Sequence, residues 1–273
     1  MPIELSISIE CKIESLSPFG VMLEVENDSN ISIADFPIEE LRPLLAQHRL
    51  VLLRGFAEVS EQREFSRYCS SWGELLEWEF GSVLEVAEHA SPNNYIFTNG
   101  SVPFHWDGAF ADQTPWLQWF QCLEAPHKRL GGETLFCDTT LLWSSLSAET
   151  QELWRSIVID YSTEKVVHYG GKIEAALVGR HPFTDESVIR FAEPANATTV
   201  QLNTPRLKIR GIDEPDHIEF INNLTKQIYD PRFVYTHEWQ EGDFLVADNH
   251  ALLHARTAYQ SNQSRRLWRV HVL

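Results

Sequence analysis

Residues 244–273 read FLVADNHALLHARTAYQSNQSRRLWRVHVL. Two strand-like runs, Phe244 to Ala247 and Leu267 to Val272, enclose two histidines, His250 and His254, and the arginines Arg256, Arg265 and Arg266, with Arg269 inside the second run. The turn signal Glu241-Gly242-Asp243 precedes them. Working upstream, strands are predicted at Leu50 to Phe56, Val83 to Ala87, Trp116 to Cys122, Thr134 to Cys137 and Phe233 to Trp239. Helical patterns fall at Pro37 to His48, Glu61 to Ser70, Ala148 to Ile157 and Pro215 to Tyr229, the last placing Ile218, Ile221, Thr225 and Ile228 on one face.

Strands and helices do not alternate regularly, which favours antiparallel sheets over a parallel βαβ arrangement. The expected fold is mainly β with flanking helices, built on a double-stranded β-helix (jelly-roll, cupin-like) core. No linker or repeat divides the chain, so residues 1–273 read as a single domain.

The chain carries 39 acidic against 22 basic residues, a formal charge of −17, which argues against a nucleic-acid partner and against an anionic membrane surface. Cys11, Cys69, Cys122 and Cys137 form no CxxC pair and are too sparse for a disulfide framework. The start, MPIELSISIECKIESL, lacks the basic and apolar regions of a signal peptide, and no apolar run is long enough for a membrane span. A cytoplasmic setting is expected.

In PFHWDGAF, residues 103–110, His105 and Asp107 are two apart, so on a strand both side chains share a face and can grip one ion. Alone, such a triplet is weak, and it needs a third ligand from the C-terminal segment. Two imidazoles and a carboxylate on one face of Fe(II) leave three positions open for a co-substrate and dioxygen. An arginine then has a task, because a planar guanidinium binds a carboxylate through two parallel hydrogen bonds.

HxD, then Gly131-Gly132-Glu133-Thr134-Leu135-Phe136, then Asp248-Asn249 with His254 five positions on, then RRLWR at 265–269, resemble the TauD/TfdA family of iron(II)/2-oxoglutarate oxygenases. The resemblance implies His105, Asp107 and His254 as metal ligands, with His250 ranked behind His254. It implies Arg265 as the anchor of 2-oxoglutarate, Arg266 if the register slips, and Thr134 as a hydrogen-bonding partner of the same carboxylate. Glu133 stands where the family usually has Asp. The implied cofactors are Fe(II), 2-oxoglutarate as co-substrate and O2.

RGF (54–56), RYC (67–69), FGSVLEV (80–86), RHP (180–182), RFAEP (190–194) and RRLWRVHV (265–272) resemble, more narrowly, the PvcB-type oxygenases of isonitrile biosynthesis. That implies a tyrosine-derived isonitrile as the small-molecule partner and desaturation as the reaction, with or without loss of the substrate carboxylate. Asp107 argues against halogenation, since related halogenases carry a small residue there. Arg269 and Arg190 are candidates for the substrate carboxylate, and Asn99 and Tyr95 for other substrate contacts. Trp106, Phe104, Trp116 and Trp119 are either pocket wall or ordinary core. His127, His168, His181, His217, His237 and His271 read as surface or core histidines. A homo-oligomer accords with family habit. Two rivals stay open: a TauD-like hydroxylase of another small acid or amino acid, and a cupin-like metal-binding protein without turnover.

Overall fold

The computed structural model describes residues 7–26, 30–166, 169–260 and 263–273, so His168 lies outside the described residues. Two facing sheets form the frame. The larger runs Lys12–Ser15, Val21–Glu24, Leu50–Arg54, Phe244–Asp248, Leu117–Glu124, Arg266–Val272, Val83–Val86 in spatial order. The smaller runs Val234–His237, Thr134–Asp138, Leu252–Arg256, Val102–His105. Every pairing in both is antiparallel except Val21–Glu24 with Leu50–Arg54. The jelly-roll expectation holds, with the two sheets open at their edges.

Alternation along the strands explains the layering. In Arg266–Val272, Trp268, Val270 and Val272 join Phe65, Leu41 and Leu44 of the helices Gln62–Ser70 and Ile38–His48, which cover the outer face of the larger sheet. Leu267 turns the other way and packs with Phe120, Leu245, Phe136 and Leu252 between the sheets. Arg269 and His271 share that inward face. Beyond the smaller sheet, Leu253 and Ala255 pack against Leu142, Trp154 and Leu224 from the helices Thr139–Ser145, Ala148–Ser156 and His217–Ile228.

Several elements depart from expectation. The helix His217–Ile228 buries Phe220, Leu224 and Ile228, while Ile218 is 75% exposed. The expected stripe of Ile218, Ile221, Thr225 and Ile228 is therefore rotated, because the i, i+4 row through Phe220 buries more aromatic surface. The long hairpin of Val158–Val166 with Tyr169–Ala176, extended by Arg206–Arg210, has no counterpart in the sequence reading; charged residues interrupt its alternation. Trp116, Trp119 and Phe104 are structural: Trp119 is enclosed by Tyr68 and Trp72, Trp116 packs on Phe183, and Phe104 sits edge-on to Tyr229.

Candidate active site

Two neighbouring strands and the turn that follows one of them deliver the predicted ligands to one point. His105 ends the edge strand of the smaller sheet and pairs in register with His254 on the next strand. Asp107 follows two residues after His105, and its Oδ1 lies 3.6 Å from His105 Nε2 while its Oδ2 lies 3.7 Å from His254 Nε2. One ligand atom from each of the three falls within 4.8 Å of the other two. Two imidazoles and a carboxylate so grouped fit Fe(II). His250 is elsewhere, its Nδ1 accepting from Arg190 Nη2 at 2.9 Å, and burial pushes its pKa down to about 4.

The ligands are oriented from behind. His105 Nδ1 meets the Pro103 carbonyl at 2.9 Å, which leaves Nε2 as the free lone pair. Asn249 uses both ends of its amide: Oδ1 accepts from Asp107 N at 2.9 Å, and Nδ2 donates to the carbonyls of Asp107 and Pro115. Gln118 Nε2 donates to Asp107 Oδ2 at 3.0 Å and Asn249 Oδ1 at 2.9 Å, and lies 3.3 Å from His254 Nδ1. His271 Nε2 and Arg269 Nη1 close on the same Asp107 oxygen at 2.8 and 2.7 Å.

Burial acts to raise the Asp107 pKa, but Arg269, His254 and His271 outweigh it and hold the carboxyl well below the usual range. Burial, then the His105 ring, holds His254 well below the ordinary imidazole value. Both imidazole and carboxylate are thus in the deprotonated forms that a metal takes.

Beside this triad, Arg265 is 5% exposed and has no carboxylate within ion-pair distance among the described residues. Its Nε donates to the Gly132 carbonyl at 2.8 Å and its Nη2 to Thr134 Oγ1 at 3.1 Å. Glycine is required at both positions of Gly131-Gly132. Their φ values are +88° and +86°, a Cβ on Gly131 would fall 1.9 Å from the Ala258 oxygen, and one on Gly132 would meet Arg265 Cδ at 3.1 Å. Glu133 bonds Thr257, whose hydroxyl also accepts from the Gly132 and Glu133 amides. Burial, then the Arg256 guanidinium, pushes the Arg265 pKa down to about 9. Two buried guanidiniums, Arg265 and Arg256, with no carboxylate at ion-pair distance among the described residues make this corner receptive to an anion. Arg266 is partly exposed and pairs with Glu124, so Arg265 is the buried candidate of the two.

A cavity of about 600 Å³ opens on His105 and Asp107, with Trp78, Phe80, Tyr95, Phe97, Trp106 and Phe110 among its aromatic walls. Arg269 and His271 line it next to His105 and Asp107. Of the substrate candidates, Arg269 and Tyr95 face this cavity. Arg190 does not: it is held by the Asn249 carbonyl and His250 on the far side of the turn. Asn99 also lies outside the lining, its carbonyl accepting from Tyr259 N. The loop that bears Tyr95 is fixed by Arg256, which donates to the carbonyls of Ile96, Thr98 and Gly100.

Sequence reasoning missed Gln118 and read His271 as an ordinary surface or core histidine. For His271 a signal existed, since it stands two residues after Arg269 on one strand face.

Residues 12–271 match the family described as taurine catabolism dioxygenase TauD, TfdA family. The chain is 48% identical over 266 residues to a 3-((Z)-2-isocyanoethenyl)-1H-indole synthase of Fischerella ambigua, covering 97% of each. It is 38% identical to a tyrosine isonitrile desaturase of Erwinia amylovora, covering 88% of this chain and 82% of that one. The crystal structure of PvcB from Pseudomonas aeruginosa superposes with a TM-score of 0.81 at 31% identity, over 100% of this chain and 94% of that one. A second PvcB structure, described as an Fe, alpha-ketoglutarate dependent oxygenase from an isonitrile synthetic pathway, gives 0.78 at 31% identity, over 96% and 91%.

Proposed function

The chain belongs to the TauD/TfdA family and is an Fe(II)- and 2-oxoglutarate-dependent oxygenase, and from that premise we propose that it desaturates an isonitrile derived from an aromatic amino acid. The observation that carries this reading is the aromatic-walled cavity whose cation, Arg269, stands beside Asp107 at the metal site. A planar ring fits the walls, and a substrate carboxylate finds its counter-charge at Arg269.

Bound iron would supply the oxidation that breaks a C–H bond. The residues do the rest. His105, Asp107 and His254 would hold the metal, Arg265 and Thr134 the distal carboxylate of 2-oxoglutarate, and Arg269 with Tyr95 the substrate. The aromatic walls exclude water and aim the carbon next to the ring at the triad. Overall, substrate, 2-oxoglutarate and O2 give alkene, succinate, carbon dioxide and water; if the substrate carboxylate is also lost, a second carbon dioxide leaves and a vinyl isonitrile results.

Tyrosine isonitrile is the substrate that the sequence motifs suggest, and the Erwinia relative's name agrees. The higher identity to the indole-named relative supports a second reading, a tryptophan-derived isonitrile that loses its carboxylate, because the product in that name has none. Both belong to one domain spanning residues 1–273. A reducing, cytoplasmic setting is supported by four unpaired cysteines. No described helix is long and apolar enough to cross a membrane.

The test is mass spectrometry of each isonitrile after aerobic incubation with Fe(II), ascorbate and 2-oxoglutarate. Loss of two hydrogens marks simple desaturation, and loss of carbon dioxide as well marks the decarboxylative route. Turnover of the indole substrate alone overturns the tyrosine assignment.

A further inference from the structure

A threonine hydroxyl has one proton to give and two lone pairs to receive. At Thr134 both lone pairs are engaged: Oγ1 accepts from Trp239 Nε1 at 2.9 Å and from Arg265 Nη2 at 3.1 Å. Neither donor can reverse its role, since indole and guanidinium nitrogens carry hydrogens and accept nothing. The hydroxyl proton therefore has only one use, donation to a third group.

Trp239 is held in place by its surroundings. It follows the strand Val234–His237, whose His237 opposes Thr134, so the chain returns the indole to the residue its own strand pairs with. The ring stands edge-on to His237, centroids 4.3 Å apart, and packs on Phe120 at 5.9 Å. The next turn is closed by Gln240 N donating to Asp243 Oδ2 and Asp243 N donating to the Gln240 carbonyl. Asp243 is fixed in turn by Arg54 through two charge-assisted bonds of 2.7 and 2.8 Å. Trp239 is 4% exposed and Thr134 is 4% exposed, so no solvent competes for these bonds.

We propose that Trp239 is a positioning residue for the co-substrate: its indole N–H fixes the Thr134 hydroxyl as a donor to the distal carboxylate of 2-oxoglutarate beside Arg265. The inference rests on the reading of Arg265 and Thr134 as that carboxylate's site. An ionised carboxylate only accepts, so a hydroxyl free to turn its proton elsewhere would present a lone pair to it. Trp239 removes that freedom before the ligand arrives.

The test is calorimetric titration of 2-oxoglutarate into anaerobic Fe(II)-loaded protein, with Fe(II) affinity measured in parallel. Trp239→Phe keeps an aromatic ring and deletes the donor. It is expected to weaken 2-oxoglutarate binding about tenfold with Fe(II) affinity unchanged. Thr134→Val should weaken it at least as much, and the double variant should be no weaker than Thr134→Val alone, because the indole acts through the hydroxyl. Arg265→Gln is the reference. If Arg265→Gln binds poorly and Trp239→Phe binds as the wild type, the positioning role is wrong and the carboxylate site stands. If Arg265→Gln also binds as the wild type, the site reading fails and the role of Trp239 falls with it. Should Trp239→Phe not fold, benzothienylalanine at 239, which replaces the N–H with sulfur at nearly constant shape, makes the same comparison.

Discussion

His105 and His254 stand opposite each other on neighbouring antiparallel strands, their ring centroids 4.2 Å apart. Their Nε2 atoms converge on the Asp107 carboxylate, at 3.6 and 3.7 Å from its two oxygens. Replacing His105, Asp107 or His254 with Ala should abolish iron-dependent turnover and reduce Fe(II) affinity by more than the roughly 10- to 100-fold that follows loss of a supporting residue. Anaerobic Fe(II) titration measures it, and full activity in Asp107→Ala would remove the carboxylate from the site.

The His271 imidazole meets the Asp107 carboxylate through Nε2 at 2.8 Å. His271→Phe should keep the strand and its packing while loosening Asp107, lowering Fe(II) affinity about 10- to 100-fold. Gln118→Leu should do the same through Asp107 and Asn249. Wild-type affinity in both variants would show that the carboxylate is oriented by Asn249 and Arg269 alone.

Arg269 and Arg265 lie on the same chain segment, and the proposed function assigns them different ligands. Arg269→Gln should raise the KM for the isonitrile at least tenfold and leave the 2-oxoglutarate requirement near its wild-type value, while Arg265→Gln should reverse the pattern. The expected loss at Arg265 is on the order of 2 to 5 kcal/mol, as for other buried charge pairs broken on one side. Steady-state kinetics in each substrate separates them, and equal effects on both would contradict the assignment.

Acid should destabilise the metal-free protein over a defined window. Burial depresses the pKa of His237, and it pushes that of His250 down to about 4. An unfolded histidine titrates near about 6.5. Between those values the unfolded chain binds protons that the native chain does not, so stability falls as pH drops from about 6.5 to about 4 and gains no slope from these groups above it. Melting curves across that range check the sign, and His250→Asn should flatten the dependence. A melting temperature that rises on acidification would refute it.

Much of this site is local in sequence and was therefore legible. His105 and Asp107 are two apart and His254 follows Asp248-Asn249, so motif order pointed to the three residues that the fold groups, although Asp107 stands in the turn after the strand rather than on it. Gln118 and the proposed part of Trp239 were not legible because they exist only across strands: Gln118 reaches Asp107 from the facing sheet, and Trp239 reaches Thr134 from its neighbour. Arg190 and Asn99 erred in the opposite direction. Each sits close in sequence to informative motifs, yet neither lines the cavity, and Arg190 is instead held by the Asn249 carbonyl and His250. The helix His217–Ile228 misled for a simpler reason, since counting isoleucines ignored the larger Phe220.

The most direct test of the account is the stoichiometry of product and succinate when tyrosine and tryptophan isonitriles are supplied separately with Fe(II), 2-oxoglutarate and O2. The account predicts that one of them yields a desaturated product in a ratio near one to the succinate formed, and that omitting 2-oxoglutarate abolishes it. Succinate formed without any desaturated isonitrile from either substrate would contradict the proposed function.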